Sequence, residues 1–262
     1  MKYVPVRFSV CVSALYPALP VHEAAVRVRK LGFDAYEFWS WQQIDGEKCA
    51  DVHEQQGIIC AGMCMPCVPR TDLDEGLSFL QGLQDTIALC KKMSCRNIIL
   101  QAGDERKDVS RQLQHEGLLK GLKLCAPFAE AAGITLLLEP LNVRVDHPGY
   151  YLTDAQEAFD LVNETGSPCV KVLYDIYHQH ITEGVDIEFL KQNMGKIGHF
   201  HLAGCPGRHE PMVQDEIDTS GILRAIAESQ YSGLVGLEYL PKMAADESLV
   251  YTREKLMGIF ET

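Results

Sequence analysis

Along the chain, short apolar or β-branched runs alternate with longer stretches in which apolar positions recur every three or four residues, the pattern expected of βα units. Eight such units can be counted. The runs predict strands over 7–12, 35–39, 58–64, 97–103, 134–140, 169–175, 197–204 and 234–240. Most begin apolar and end in something polar. Helical periodicity predicts helices over 21–31, 74–93, 110–132, 154–164, 186–193 and 220–229, with a weaker one over 47–56. Start and stop signals agree, with Thr153 as a cap and Gly32, Gly57 and Gly133 each following a helix.

Near-continuous apolar runs such as NIILQ and ITLLLE suit parallel strands covered on both faces, which leaves an open doubly wound sheet or a closed (β/α)8 barrel. Eight repeats within 262 residues favour closure. The segment after the first strand, VCVSALYPAL, also lacks the glycine-rich turn of a dinucleotide-binding sheet. No linker, low-complexity run or change of composition interrupts the chain. The expected fold is therefore α/β, a single TIM barrel domain spanning 1–262.

Composition narrows the partners. At 47% hydrophobic and 23% charged residues the chain can bury one large core, which excludes disorder as its main state. With 36 acidic against 24 basic residues, the net charge of −12 repels phosphate backbones and anionic lipid headgroups, arguing against nucleic-acid and membrane partners. No apolar run approaches the roughly 18 residues of a membrane span, and the proline-interrupted start does not read as a signal peptide, so a cytoplasmic location is expected. The ten cysteines lie scattered in apolar segments, as buried reduced thiols do. Cys64 and Cys67 form a CMPC pair, but no second pair accompanies it, so incidental thiols are expected there rather than a redox or zinc motif.

In α/β barrels the chemistry sits at the C-terminal ends of the strands. The fifth to eighth strands end in Glu139, Asp175, His201 and Glu238. Any one of these alone is ordinarily a salt-bridged rim residue. Three carboxylates converging at one barrel mouth, however, require a positive partner. Only Arg208 and Lys242 lie nearby in sequence, and a divalent ion held by oxygen donors and one imidazole meets the requirement better, with Mn²⁺, Mg²⁺ or Co²⁺ expected. His178 and Arg208 reach the same pocket, the arginine suited to a carboxylate or phosphate and the histidine to a hydroxyl or carbonyl oxygen. His209 and Glu210 are adjacent further candidates. Trp39, Trp41 and Tyr16 are read either as pocket wall or as packing, and Glu37 as an internal hydrogen-bond partner.

The segments FSVCVSALYP, LGFDAYEFW, LLLEPLNVRVDHPGYYL, YDIYHQH and HFHLAGCPGRHEP with the following EID resemble the xylose-isomerase-like barrel superfamily, and within it most closely the hydroxypyruvate isomerase family. The resemblance covers essentially the whole chain. It implies that Glu139, Asp175, His201 and Glu238 are metal ligands, that Glu139 and Glu238 form the acid/base pair, and that the chain assembles into homo-oligomers. Some hydroxypyruvate isomerases carry glutamine where this chain has His201, whereas related ketose 3-epimerases usually carry histidine. That difference bears on the substrate, because members share the metal frame and differ mainly in the pocket wall.

The expected reaction interconverts an α-hydroxy ketone and an aldehyde through an enediolate, with hydroxypyruvate and tartronate semialdehyde as the leading pair and Arg208 on the substrate carboxylate. A ketose 3-epimerase or other sugar isomerase is the alternative on the same frame. A metal-dependent phosphodiesterase fits the net charge poorly, and a barrel that only binds a metabolite has no need of both Glu139 and Glu238.

Overall fold

The computed structural model describes residues 6–42, 44–65, 76–212, 215–229 and 231–261. Its eight strands are β1 (Arg7–Cys11), β2 (Ala35–Phe38), β3 (Ile59–Cys64), β4 (Asn97–Gln101), β5 (Thr135–Glu139), β6 (Val170–Asp175), β7 (Ile197–Leu202) and β8 (Leu234–Leu237). They run in sequence order, each parallel to the next, and β8 pairs back onto β1 to close the barrel. Among the described residues ten α-helices accompany them: α1 (Val12–Leu15), α2 (Val21–Lys30), α3 (Gly46–Gln56), α4 (Gly76–Lys92), α5 (Arg111–Ala132), α6 (Ala155–Thr165), α7 (Ile176–Thr182), α8 (Ile187–Asn193), α9 (Thr219–Glu228) and α10 (Ala245–Gly258). The expected (β/α)8 architecture is what the chain forms.

Alternation along each strand sends one set of side chains outward under the helices and the other into the barrel. On β5, Leu136 and Leu138 join the large core beneath the helices, while Leu137 belongs to a separate small cluster with Cys64, Ile99 and Leu173. Those four make an apolar floor from β3 to β6. The rest of the interior is polar, with Ser9, Glu37, His199 and His201 all buried. A fully buried leucine contributes about 1.5–3 kcal/mol, so the outer layer supplies most of the stability while the inner one is free to carry chemistry.

Helix ends follow local side-chain chemistry. Ser110 accepts from Leu113 N at 3.3 Å to start α5, and Gly133 ends that helix in the left-handed conformation. The cap of α6 is Asp154, which accepts from Glu157 N at 2.9 Å, and not Thr153. Three helices depart from the sequence reading, namely α1, α7 and α10. Several strands stop short of their predicted ends because the mouth loops use their backbone groups otherwise. Ala102 N donates to Tyr150 Oη, and Leu240 N donates to Arg208 O rather than into a ladder. All nine described cysteines are free, and Cys67 lies outside the described residues. No helix among the described residues is long and apolar enough to cross a membrane.

Candidate active site

Strand register brings the four strand-end residues together. Asp175 on β6 stands opposite His201 on β7, and His201 stands opposite Gly236 on β8, two residues before Glu238. Glu139, at the end of β5, completes a group whose ligand atoms all lie within 4.8 Å of one another. His201 Nδ1 is 3.2 Å from Glu139 Oε1, 3.4 Å from Glu238 Oε2 and 3.8 Å from Asp175 Oδ2. None of the four is more than 5% exposed.

Such a set is held together only by positive charge, because buried carboxylates repel one another and an imidazole lone pair facing them adds to the repulsion. Burial opposes a charge on His201, yet Glu238 and Glu37 raise its pKa well above the usual histidine value. Burial likewise opposes ionisation of Glu238, but His201 and Arg208 hold it well below the usual carboxylate range. For Asp175 burial prevails and raises the pKa, despite Arg208 and His201. Three carboxylates and one imidazole nitrogen are a donor set suited to a hard divalent cation, so the residues fit one.

Arg208 and Trp39 each hold one oxygen of Glu238. The guanidinium Nη2 donates to Glu238 Oε2, and the Trp39 indole N–H donates to Oε1. Arg208 lies in a turn closed by Gly204 N donating to His209 O at 2.8 Å, and it takes a left-handed φ of 53° there. Its guanidinium also sits over the Tyr177 ring, 5.5 Å from the centroid, and 3.9 Å from Asp146 Oδ1. Burial opposes its charge, but Glu238 and Asp175 raise its pKa further. Arg208 is therefore a permanent cation facing the cluster.

His178 is fully buried, and burial together with the nearby Arg208 lowers its pKa to about 3, so the ring is neutral. Its Nδ1 accepts from Asn142 Nδ2 at 2.6 Å and from Asn142 N at 3.3 Å. The proton is thereby placed on Nε2, which has no hydrogen-bond partner. A cavity of about 270 Å³ opens beside these groups, lined by Trp39, Gln101, Glu139, His147, His178, Arg208 and Glu238 among others. It presents one cation, a neutral imidazole donor and two carboxylates to a small polar guest.

Other residues singled out from the sequence fall elsewhere. His209 is buried, but its Nδ1 lies 3.0 Å from Glu210 O and it does not line the cavity, because the tight turn at Gly204 packs the ring against its own loop. Glu210 accepts from Lys242 N, Met243 N and Ser248 Oγ, which ties the loop after β7 to the one after β8. Tyr16 donates to Asp246 Oδ1 at 2.8 Å and lines a neighbouring groove. Trp39 alone of the three aromatic candidates lines the cavity, and Trp41 packs against the core. Sequence reasoning did not single out Gln101, Asn142, His147 or His199. His199 carried a signal, since it stands two residues before His201 on one strand and so shares its inward face.

Comparison with known proteins agrees with the barrel fold. Residues 25–255 match the xylose isomerase-like TIM barrel family. The chain is 31% identical to the hydroxypyruvate isomerase of Escherichia coli (strain K12) over 183 residues, 70% of this chain and 69% of that one. It is 27% identical to a putative hydroxypyruvate isomerase of Danio rerio over 264 residues, 95% of each chain. Among solved structures, an AP endonuclease, family 2, from Brucella melitensis superposes with a TM-score of 0.89 at 24% identity, covering 95% of this chain and 99% of that one. The last likeness speaks for the fold alone.

Proposed function

The chain belongs to the xylose isomerase-like TIM barrel family and is an isomerase, and from that premise we propose that it interconverts hydroxypyruvate and tartronate semialdehyde. The observation that carries the reading is the convergence of Glu139, Asp175, His201 and Glu238 beside a small cavity that contains Arg208. We read 1–262 as one such barrel domain, acting on a small hydroxy-keto acid, with Glu139, Asp175, His201 and Glu238 holding Mn²⁺, Mg²⁺ or Co²⁺. When bound, the ion supplies Lewis-acid stabilisation of the negative charge that develops on the two substrate oxygens.

The chain's own groups do the rest. Isomerisation removes a proton from the hydroxymethyl carbon and returns one to the former carbonyl carbon, while the hydroxyl proton passes to the neighbouring oxygen. Glu139 and Glu238 flank the cavity and serve as the pair that takes and returns the carbon-bound proton. Their environments differ, as that task demands. Glu238 has both oxygens engaged by Trp39 and Arg208, whereas Glu139 Oε1 faces His201. His178 Nε2–H is a donor for a substrate oxygen and Arg208 is the cation for the substrate carboxylate.

The small cavity and its buried guanidinium favour a short acid over a neutral polyol. The test compares turnover of hydroxypyruvate with that of neutral ketopentoses and ketohexoses, on metal-loaded and chelator-treated protein. Metal-dependent turnover of the acid with little on the ketoses is expected. Preferential turnover of a ketose would replace this reading with that of a ketose epimerase.

A further inference from the structure

We propose that Glu37 is a positioning residue that holds His201 with its Nδ1 turned toward the cation-binding cluster, an inference that rests on the metal-binding reading above. Glu37 stands in the middle of the barrel on β2 and is 1% exposed. Its Oε2 accepts from Ser9 Oγ at 3.0 Å on β1 and lies 2.8 Å from His199 Nε2 on β7. Its Oε1 lies 3.1 Å from His201 Nε2, an ion-pair contact whose alignment falls short of a hydrogen bond, and neither atom has a hydrogen-bond partner.

The arrangement decides which imidazole nitrogen binds. A carboxylate beside Nε2 favours the tautomer with its proton there, which leaves the Nδ1 lone pair facing Glu139, Asp175 and Glu238. Glu37 is itself fixed, since Ser9 and His199 hold it from two different strands. Gly236 on β8 leaves the room it needs, as a Cβ at that position would come within 2.1 Å of Glu37 Oε1. A carboxylate serving only as internal packing is disfavoured here, because an ionised side chain in a barrel core carries a desolvation penalty that an apolar one would avoid.

The test measures Mn²⁺ affinity of the full chain by calorimetric titration, alongside ¹⁵N NMR of the imidazole rings with diamagnetic Mg²⁺ bound and thermal unfolding of the metal-free protein. Glu37→Gln should weaken Mn²⁺ binding roughly 10–100-fold and shift His201 away from a pure Nε2–H tautomer. Affinity within about twofold of wild type would overturn the proposal, even if the metal-free melting temperature falls, since that result describes a merely structural residue. Should Glu37→Gln fail to fold, Ser9→Ala removes one support and leaves every ligand in place. A loss of about twofold to tenfold is then expected, and an unchanged affinity overturns the proposal. A wild-type chain that binds no Mn²⁺ at all would overturn the metal reading itself and this inference with it, an outcome distinct from equal binding by wild type and variant.

Discussion

Gly236→Ala adds one methyl group where the barrel interior has no room for it. A Cβ on Gly236 would lie 2.1 Å from Glu37 Oε1, 2.8 Å from His201 Cδ2 and 2.9 Å from Glu37 Cδ. Real Cβ atoms keep at least 3.0 Å from such neighbours, so the carboxylate must retreat by about 0.9 Å, the difference between 3.0 and 2.1 Å. Were it a free side-chain tip, the move would be cheap. It is held by Ser9 and His199, and His201 closes the third side, so strain spreads into the ligand cluster. Overpacking of this kind costs about 1–3 kcal/mol, which in a chain of this size lowers the melting temperature by about 2–12 °C. Displacing Glu37 should also weaken divalent-metal binding by about 10–100-fold.

Two companion variants separate these effects. Gly62→Ala on β3 meets nothing closer than 3.7 Å and should change neither property. Gly198→Ala on β7 meets Leu137 Cδ2 at 2.5 Å and Lys171 Cβ at 3.1 Å, away from the ligands, so it should destabilise without changing affinity by more than about twofold. Differential scanning fluorimetry and Mn²⁺ titration of the three variants would read both quantities. If Gly236→Ala matched Gly62→Ala in both assays, the tight coupling of β8 to Glu37 and His201 would be refuted.

Further outcomes follow from the site. Glu238→Gln should lower kcat by at least about 100-fold while leaving the circular dichroism spectrum unchanged, and near wild-type turnover would sink the two-carboxylate mechanism. Arg208→Ala should raise KM for hydroxypyruvate by roughly 10–100-fold, the value of a hydrogen bond to a charged group, and a KM equal to wild type would remove its carboxylate-binding role. Away from the site, burial opposes ionisation of Glu157, but Tyr151, His115 and Arg111 lower its pKa below the usual glutamate value. A depressed folded-state pKa contributes stability that is present above about pH 4.3 and is lost as pH falls through the folded value. Urea unfolding of Glu157→Gln against wild type should therefore show a stability gap that narrows on acidification, and a gap independent of pH would refute the assignment.

The barrel was legible because parallel strands buried on both faces leave near-continuous apolar runs, and the strand-end residues Glu139, Asp175, His201 and Glu238 were legible because the fold puts strand ends at one mouth. The helices that went unread have physical reasons. Helix α7 begins directly after β6 with no turn between them, and Asp175 both faces the cluster and caps that helix through His178 N at 2.9 Å. Seven residues are too few to show a period. Helix α10 starts at Ala245, and its N-cap Ala244 offers no side-chain cap, so no boundary signal marks it. From the loop after β5, His147 reaches the cavity and Asn142 reaches His178, and no periodicity there constrains which way a side chain points. The environment of Glu37 depends on β1 and on two strands distant in sequence, β7 and β8, and register between distant strands is not written in any one segment.

The most direct test of the account is proton NMR of the metal-loaded protein in D₂O with hydroxypyruvate, run beside a chelator-treated control. Proton transfer through Glu139 and Glu238 predicts metal-dependent formation of tartronate semialdehyde with deuterium entering the carbon skeleton. Hydroxypyruvate that stays unconverted and free of deuterium under both conditions would contradict it.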